Sequence, residues 1–206
     1  MAKGSNFERE ICKLLGLWWT GGKRDDVFWR TAGSGARATM RSKTNQNTFG
    51  QYGDVQATDP IGQPLIDLCT IEMKRGYSKS TFADLIEDST THNAKPCMYA
   101  NFITQAKTDA KKASAPWWML IVKRDRKKPI IIYPPRLFNT TWSGLDKGRI
   151  FRKKRLHVYI SLLEDFLKHC DPSFVKKEWV DENEEEDECK GCTKPTCAGC
   201  FMEDKK

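Results

Sequence analysis

The sequence lacks any long apolar run, and no stretch reaches the roughly 18 apolar residues that a membrane-spanning helix needs. Its first residues also lack the apolar stretch of a secretion signal. Only three histidines are present, and they are isolated from one another, so a histidine-based site is not indicated. We therefore predict an intracellular protein, cytoplasmic or nucleoid-associated, that is not secreted and has no membrane partner.

The charge of the chain is unevenly distributed. The formal net charge is +8, yet residues 181–206 carry nine acidic side chains against four lysines. Removing these from the 35 basic and 27 acidic residues leaves 31 and 18 in residues 1–180, a net charge of +13. Such a surplus creates a long-range positive potential, for which a phosphate backbone is the commonest partner. Nucleic acid is therefore favoured over the alternative of a merely soluble surface.

Four of the eight cysteines lie within twelve residues near the C-terminus, as two C-x-x-C pairs. Each pair can place two thiolates on one tetrahedral metal ion. This clustering is typical of a metal site in a reducing compartment rather than of a disulfide framework. We predict one Zn²⁺, with an iron–sulfur cluster or a disordered tail with free thiols as alternatives. The predicted ligands are Cys189, Cys192, Cys197 and Cys200.

Hydrophobic periodicity predicts an α/β fold in which helices flank a mixed sheet. The predicted elements are a helix from Ser5 or Asn6 to about Leu15, a strand over Val27–Thr31, a hairpin of Asp54–Thr58 and Leu65–Lys74, a helix from Phe102 to about Ser114, strands over Trp117–Lys123 and Pro129–Tyr133, and a helix over Ser161–Cys170. Residues 33–53 form a long basic loop, a length that favours function. We divide the chain into a main domain of residues 1–178, an acidic linker of residues 179–188 and a tail of residues 189–206.

Three segments each offer a carboxylate that can meet the others. Alternation along the strand that follows the Asp-Pro-Ile-Gly turn puts Glu72 and Lys74 on one face. Asp54 opens the adjacent hairpin arm, so its side chain can approach Glu72. Glu8 lies beside the apolar stripe of the first helix, whereas Glu10 falls nearer the polar edge. We therefore choose Glu8 over Glu10 as the third carboxylate.

Such a cluster suits the hydrolysis of a phosphodiester bond. The transition state of this reaction concentrates negative charge on the phosphate and on the leaving oxygen. Clustered carboxylates hold one or two Mg²⁺ ions, which neutralise that charge and lower the pKa of the attacking water. Lys74 can orient that water and contact the phosphate. A Glu-x-Lys motif alone is weak evidence, because an ordinary ion pair on a sheet edge has the same sequence.

Five sequence elements occur in order over residues 3–123, namely Lys3–Glu10, Arg30–Ser34, Asp54–Ala57, Ile71–Lys74 and Gln105–Val122. They resemble, in turn, the K-G-x-x-x-E-R-E opening, the R-S-A-G-S strand end, the D-[IL]-x-A motif, the I-E-x-K strand and the helix-then-strand unit with an early glutamine of archaeal-type Holliday junction resolvases, which belong to the PD-(D/E)XK nuclease superfamily. Five elements in the same order are far more specific than the Glu-x-Lys motif alone. The resemblance implies a restriction-endonuclease-like fold, here with a small metal-binding tail added.

The resemblance also implies a role for each residue of the cluster. Asp54 and Glu72 would be the main Mg²⁺ ligands, with the Met73 carbonyl as a third. Glu8 would bind or position a second metal ion, and Lys74 would act on the attacking water. The expected catalytic set is thus Glu8, Asp54, Glu72 and Lys74.

The expected partners are DNA, in particular branched or junction DNA, and a second copy of the chain, because members of the resembled family act as homodimers that cut four-way junctions. Arg30 and Ser34 would lie on the loop that contacts DNA. The side chains expected to contact DNA are Lys3, Arg30, Ser34, Arg37, Arg41, Lys43, Arg75 and Gln105.

Three departures from the resembled family keep other functions open. The gap between Ser34 and Asp54 is longer than in that family, Thr31 replaces a serine, and the cysteine tail has no counterpart in its simple members. A restriction-like, nicking or flap endonuclease is one alternative. A non-catalytic DNA-binding module with a zinc tail is the other, although it would have no need of an intact catalytic set.

Overall fold

The structure, a computed structural model, describes residues 3–31, 52–85, 96–134, 137, 149–153 and 156–173. The helices are α1 (Lys3–Trp19), α2 (Gln63–Leu68), α3 (Met98–Ala113) and α4 (Leu163–His169). The strands are β1 (Phe28–Arg30), β2 (Val55–Ala57), β3 (Cys69–Arg75), β4 (Trp117–Lys123), β5 (Ile130–Tyr133), β6 (Arg149–Lys153) and β7 (Leu156–Leu162). Two 3₁₀ turns cover Pro60–Gly62 and Phe82–Leu85.

A five-stranded mixed sheet with the order β3-β4-β5-β7-β6 forms the centre of the molecule. The pair β3 and β4 is parallel, and α3 makes the crossover that parallel neighbours require. The remaining pairs of this sheet are antiparallel. The predicted mixed sheet flanked by helices is therefore confirmed, and β3 lies at one end of the strand order.

Strand β4 is buried on both faces, as expected for six consecutive apolar residues before Lys123. Trp117, Met119 and Ile121 belong to the core shared with α1 and α4, while the alternate residues Trp118, Leu120 and Val122 belong to the core under α3. Both tryptophans are thus core residues, at 4% and 6% exposure. Helices therefore cover the two faces of the sheet in the way that the sequence predicts.

Helix α1 continues through Gly16 to Trp19, although we expected it to end near Leu15. The reason for this glycine is tertiary, because a Cβ at position 16 would lie 3.1 Å from the carbonyl oxygen of Arg24 and 3.1 Å from the carbonyl carbon of Asp25. The chain after the helix thus packs directly on the helix backbone. Gly16 therefore does not end the helix; it allows the following segment to pack closely against the helix backbone.

The predicted hairpin of residues 54–58 and 65–74 is wrong. Strand β2 pairs with β1 in antiparallel register, and residues 63–68 form α2 instead of strand. Pro64 stands in the first turn of α2, where proline favours a helix, and Leu65 and Leu68 are buried one turn apart. The second arm therefore shortens to β3, which begins at Cys69.

The two strands before the last helix were also missed. The basic run of residues 149–155 contributes β6, and β7 extends to Leu162. The last helix therefore starts at Leu163 rather than at Ser161. The β-branched and aromatic residues of the sequence Val158-Tyr159-Ile160 are the signal that favours a strand here.

Several predicted features lie outside the described residues, namely most of the loop of residues 33–53, the acidic linker and the cysteine tail. Among the helices that are described, none has the length and apolarity needed to cross a membrane.

Candidate active site

Asp54 is held in place by three hydrogen bonds, two of which join it to β3. Its backbone nitrogen donates to the Ile71 carbonyl oxygen at 2.8 Å, and its own carbonyl oxygen accepts from the Thr31 nitrogen at 2.9 Å. Its carboxylate Oδ2 accepts from the backbone nitrogen of Met73 at 2.8 Å. Backbone and side chain are thus both fixed, so the carboxylate has a defined position at the edge of the strand that carries Glu72.

Gly53 makes this approach possible. Its φ is +75°, in the left-handed region, and a Cβ there would lie 2.9 Å from the Ile71 carbonyl oxygen and 3.1 Å from the Ile71 nitrogen. Glycine is the residue that satisfies both conditions without strain. Our sequence analysis did not assign Gly53 to the site, although a glycine directly before a candidate acid was visible.

Glu72 is buried, with 3% of its surface exposed, and receives two hydrogen bonds on one carboxylate oxygen. Its Oε2 accepts from Lys74 Nζ at 3.0 Å and from Gln105 Nε2 at 3.2 Å. The predicted alternation thus brings Glu72 and Lys74 together. Gln105 lies on α3 and donates to Glu72, and its expected contact with DNA stays a prediction.

Burial and charge change the pKa values of this pair. Burial first, and then the nearby negative charge of Asp54, raises the pKa of Glu72 to about 7, against the opposing attraction of Lys74. For Lys74, burial acts to lower the pKa, but the Glu72 carboxylate outweighs it and the pKa is raised. Lys74 is therefore an ammonium at neutral pH, suited to contact a phosphate oxygen and not to accept a proton.

Glu8 is half-buried and paired with Arg30, whose Nη1 lies 2.9 Å from Glu8 Oε2. Arg30 is the last residue of β1, so it lies in the strand predicted over Val27–Thr31 and not on the loop that the resemblance implied. Glu10 is more exposed and pairs with Lys123 at 3.8 Å. Glu8 thus lies on the inner side of α1 and Glu10 on the outer side. This is the arrangement on which we based the choice of Glu8 over Glu10.

The buried thiol of Cys12 lies within electrostatic range of both Glu8 and Asp54. The pKa of this thiol is raised to about 12, first by burial and then by the negative charges of Glu8 and Asp54. The acid from α1 and the acid next to β2 therefore act on one point inside the molecule. The thiol itself stays protonated at neutral pH and is chemically inert there.

Among the described residues, the acids of this site suit one hard cation that takes few of its ligands from the protein. No set of three His, Cys, Asp or Glu side chains in this part of the chain could hold a metal ion. Asp54 and Glu72 are nevertheless close enough for mutual repulsion, which a cation would relieve. Mg²⁺ is commonly bound by one or two carboxylates with water and substrate phosphate completing its coordination. Two carboxylates therefore suit one Mg²⁺, and the role expected for Glu8 at a second metal ion stays a prediction.

Two cations lie at the same end of the sheet as Lys74. Arg75 and Lys123 are register partners at the carboxyl ends of the parallel strands β3 and β4. Both contact the ring of Phe7, with distances to the ring centroid of 5.9 Å for Arg75 Cζ and 5.7 Å for Lys123 Nζ. Arg75 was an expected DNA contact, whereas Lys123 was missed because it reads as a strand end.

The other expected DNA contacts are less informative. Lys3 begins α1, and its side chain is outside the description. Ser34, Arg37, Arg41 and Lys43 are outside the described residues.

The fold and the site together define a nuclease-type α/β domain. The fold is a mixed sheet with helices on both faces, and the site is an aspartate beside a Glu-x-Lys strand at the edge of that sheet.

The model of the family described as "Phage putative PDDEXK endonuclease" matches residues 1–177, and the chain belongs to that family. Neither the curated proteins nor the solved structures give a match. The predicted PD-(D/E)XK superfamily and nuclease class are thus confirmed, and the family implies DNA as the substrate. The likeness to Holliday junction resolvases stays a prediction.

Proposed function

We propose that this protein is a Mg²⁺-dependent DNA endonuclease that hydrolyses phosphodiester bonds with Asp54, Glu72 and Lys74. The observation that carries the proposal is the hydrogen bond from the Met73 nitrogen to the Asp54 carboxylate, which brings an acid from a separate segment to the Glu72–Lys74 strand. The raised pKa of Glu72 supports it, because two acids are kept close together at a cost that a bound cation offsets.

Each of these residues has a distinct task in the proposed reaction. Asp54 and Glu72 would hold Mg²⁺ together with the Met73 carbonyl, and the bound ion supplies charge neutralisation and a more acidic water. The Lys74 ammonium binds a non-bridging phosphate oxygen and orients the attacking water. Gln105 keeps the Glu72 carboxylate in place through its 3.2 Å hydrogen bond.

The proposal is tested by cleavage of labelled DNA with and without Mg²⁺. Asp54→Asn and Glu72→Gln should each lower the rate by several orders of magnitude while DNA affinity is retained, since a metal ligand is removed but the shape is kept. Asp125→Asn, an exposed acid in the β4–β5 turn, is the matched control and should cut normally. Near-wild-type cleavage by both active-site variants would remove the proposed site.

Within DNA, branched or junction DNA is the candidate substrate that the five-element resemblance over residues 3–123 favours. A panel of linear, flap and four-way DNA of equal length separates the alternatives. A homodimer that makes paired nicks in four-way DNA would support the resolvase-like activity. Preference for one linear sequence would favour a restriction-like enzyme. Binding of DNA without any cutting would favour a non-catalytic module.

For the tail we propose one Zn²⁺ bound by Cys189, Cys192, Cys197 and Cys200, after the acidic linker of residues 179–188. The spacing of the two C-x-x-C pairs supports this proposal. Because its approach is acidic, the tail is better suited to recruitment or substrate choice than to direct DNA contact. The nuclease domain of residues 1–178 would then contain the whole catalytic set.

A further inference from the structure

The chain turns sharply directly after β3, at two consecutive residues with positive φ. Gly76 has a φ of +97° and Tyr77 a φ of +55°. The Gly76 nitrogen donates to the Lys123 carbonyl oxygen at 3.0 Å, and the Tyr77 carbonyl oxygen accepts from the Ser80 nitrogen at 3.0 Å. A tyrosine in the left-handed region is uncommon and strained, and such strain tends to be found where a side chain serves function.

The side chain at this position is a half-exposed aromatic ring. Tyr77 is 45% exposed, and its ring centroid lies 4.9 Å from that of Phe102, at 67°. The Lys74 ammonium lies 5.7 Å from the centroid of the same Phe102 ring. Tyr77 and Lys74 therefore flank one buried ring, and the exposed tyrosine is a neighbour of the cation expected to contact the phosphate.

A phosphate-binding cation beside an exposed aromatic ring matches the two parts of a nucleotide. Aromatic side chains stack on bases of any sequence in proteins that bind single-stranded nucleic acid. A base inside an intact duplex is already stacked on its neighbours, so it is accessible only when unpaired or extruded. The chemistry of this neighbourhood therefore fits a nucleotide whose base has left the helical stack.

We propose that Tyr77 stacks on an unstacked nucleobase adjacent to the phosphate bound by Lys74. The preferred substrate class is then DNA with a locally open base at the cleavage point, in place of continuous duplex. This inference rests on the proposed function, because Lys74 must contact DNA.

Binding in the absence of metal tests this inference without relying on cleavage. The probe is a duplex with one unpaired 2-aminopurine, a fluorescent base whose emission falls on stacking, and the fully paired duplex is the comparison. The wild type and Tyr77→Phe should quench the probe. Tyr77→Asn should not, and it should bind the open-base duplex about five- to 150-fold more weakly while its affinity for paired duplex stays unchanged.

Thermal unfolding separates this role from simple packing on Phe102. Asparagine tolerates a left-handed backbone, so Tyr77→Asn should keep or raise the Tm. The control is Ser114→Gly, which relieves a φ of +56° at the opposite end of β4 and should leave both DNA affinities unchanged.

Two results would overturn the inference while leaving the nuclease proposal intact. One is a Tyr77→Asn protein with lower Tm and wild-type affinity for the open-base duplex, which would make Tyr77 a packing residue. The other is an equal fall in affinity for open and paired duplex. If the wild type binds neither duplex, the inference fails because Lys74 then contacts no DNA, whereas the nuclease proposal is judged separately by cleavage with Mg²⁺.

Discussion

The carboxylate of Asp54 accepts a hydrogen bond from the backbone nitrogen of Met73, 2.8 Å from Oδ2. Met73 lies between Glu72 and Lys74 in β3, so this contact joins an acid from one segment to the strand that carries the other two groups. The relative position of the two acids thus depends on backbone geometry at the edge of the sheet. Small changes of this backbone should therefore affect cleavage.

Gly53→Ala should disrupt the site without removing any functional side chain. Its Cβ would lie 2.9 Å from the Ile71 carbonyl oxygen, so the segment that carries Asp54 must move away from β3. We expect cleavage to fall about 10- to 100-fold and the free energy of unfolding to fall by about 1–3 kcal/mol. Gly21→Ala is the control, because its φ is +63° but nothing lies within 4 Å, and it should cost stability alone. Wild-type cleavage by Gly53→Ala would contradict the requirement for close approach.

The metal-free protein should become less stable as the pH rises from about 4.5 to about 7. The pKa of Glu72 is raised to about 7 by burial and then by Asp54, so in this window the folded protein keeps a proton that the unfolded chain has released. The free energy of unfolding therefore falls with increasing pH, by about 1–3 kcal/mol. Glu72→Gln should lack this part of the pH dependence. Urea unfolding in EDTA at a series of pH values measures the free energy of unfolding. If this free energy changed with pH equally in the wild type and in Glu72→Gln, the raised pKa of Glu72 would be contradicted.

Glu8 should matter more for cleavage than Glu10. Glu8 pairs with Arg30 on the inner side of α1, whereas Glu10 is more exposed and pairs at 3.8 Å with Lys123. We expect Glu8→Gln to lower the cleavage rate by about 100-fold or more and Glu10→Gln to change it by less than about threefold. Single-turnover rates at saturating DNA make the comparison. The reverse ranking would mean that the inner face of α1 does not serve the site.

DNA binding should weaken steeply with salt, because residues 1–180 carry a net charge of +13. Replacing Arg37, Arg41 and Lys43 with glutamine should flatten the slope of log K against log salt by roughly one unit for each phosphate that is no longer neutralised. Lys111 and Lys112 lie in the last turn of α3, at the end away from Lys74, and their replacement is the control. An unchanged slope in the triple variant would assign the phosphate contacts to other residues.

The cysteine tail should bind metal independently of cleavage. Protein purified under reducing conditions should contain about one Zn²⁺ per chain, and this zinc should be absent after the double change Cys189→Ser and Cys192→Ser. Truncation after about Val180 should remove the zinc and spare Mg²⁺-dependent cutting, because Glu8, Asp54, Glu72 and Lys74 all precede it. Metal analysis and the cleavage assay are the measurements. A truncated protein that folds and binds DNA but no longer cuts would tie the tail to catalysis.

Local patterns were sufficient for the features that depend on neighbouring residues. Alternation in Ile71–Lys74 predicted that Glu72 and Lys74 share a face, and they form a 3.0 Å ion pair. The β-rich run of residues 117–123 predicted a strand, and β4 covers the same residues. These predictions are reliable because a strand has a side-chain period of two whatever its surroundings are.

Pairing between distant segments could not be predicted in the same way. The sequence suggested a hairpin of residues 54–58 and 65–74, but β2 pairs with β1 and a helix occupies residues 63–68. Strands β6 and β7 were missed, because a basic run and a helix-like continuation concealed them. Which strands pair is decided by the burial of whole faces, which no short window of sequence contains.

By itself, the sequence determined the class of this protein, its α/β architecture and the residues Asp54, Glu72 and Lys74 as candidates for its chemistry. Only the tertiary structure decided how Asp54 reaches β3, through a glycine backbone in contact with Ile71. It also decided that Gln105 contacts Glu72 across 33 positions of the chain. The physical reason is that residue type fixes what a side chain can do, whereas its distance from a partner depends on packing between segments remote in sequence.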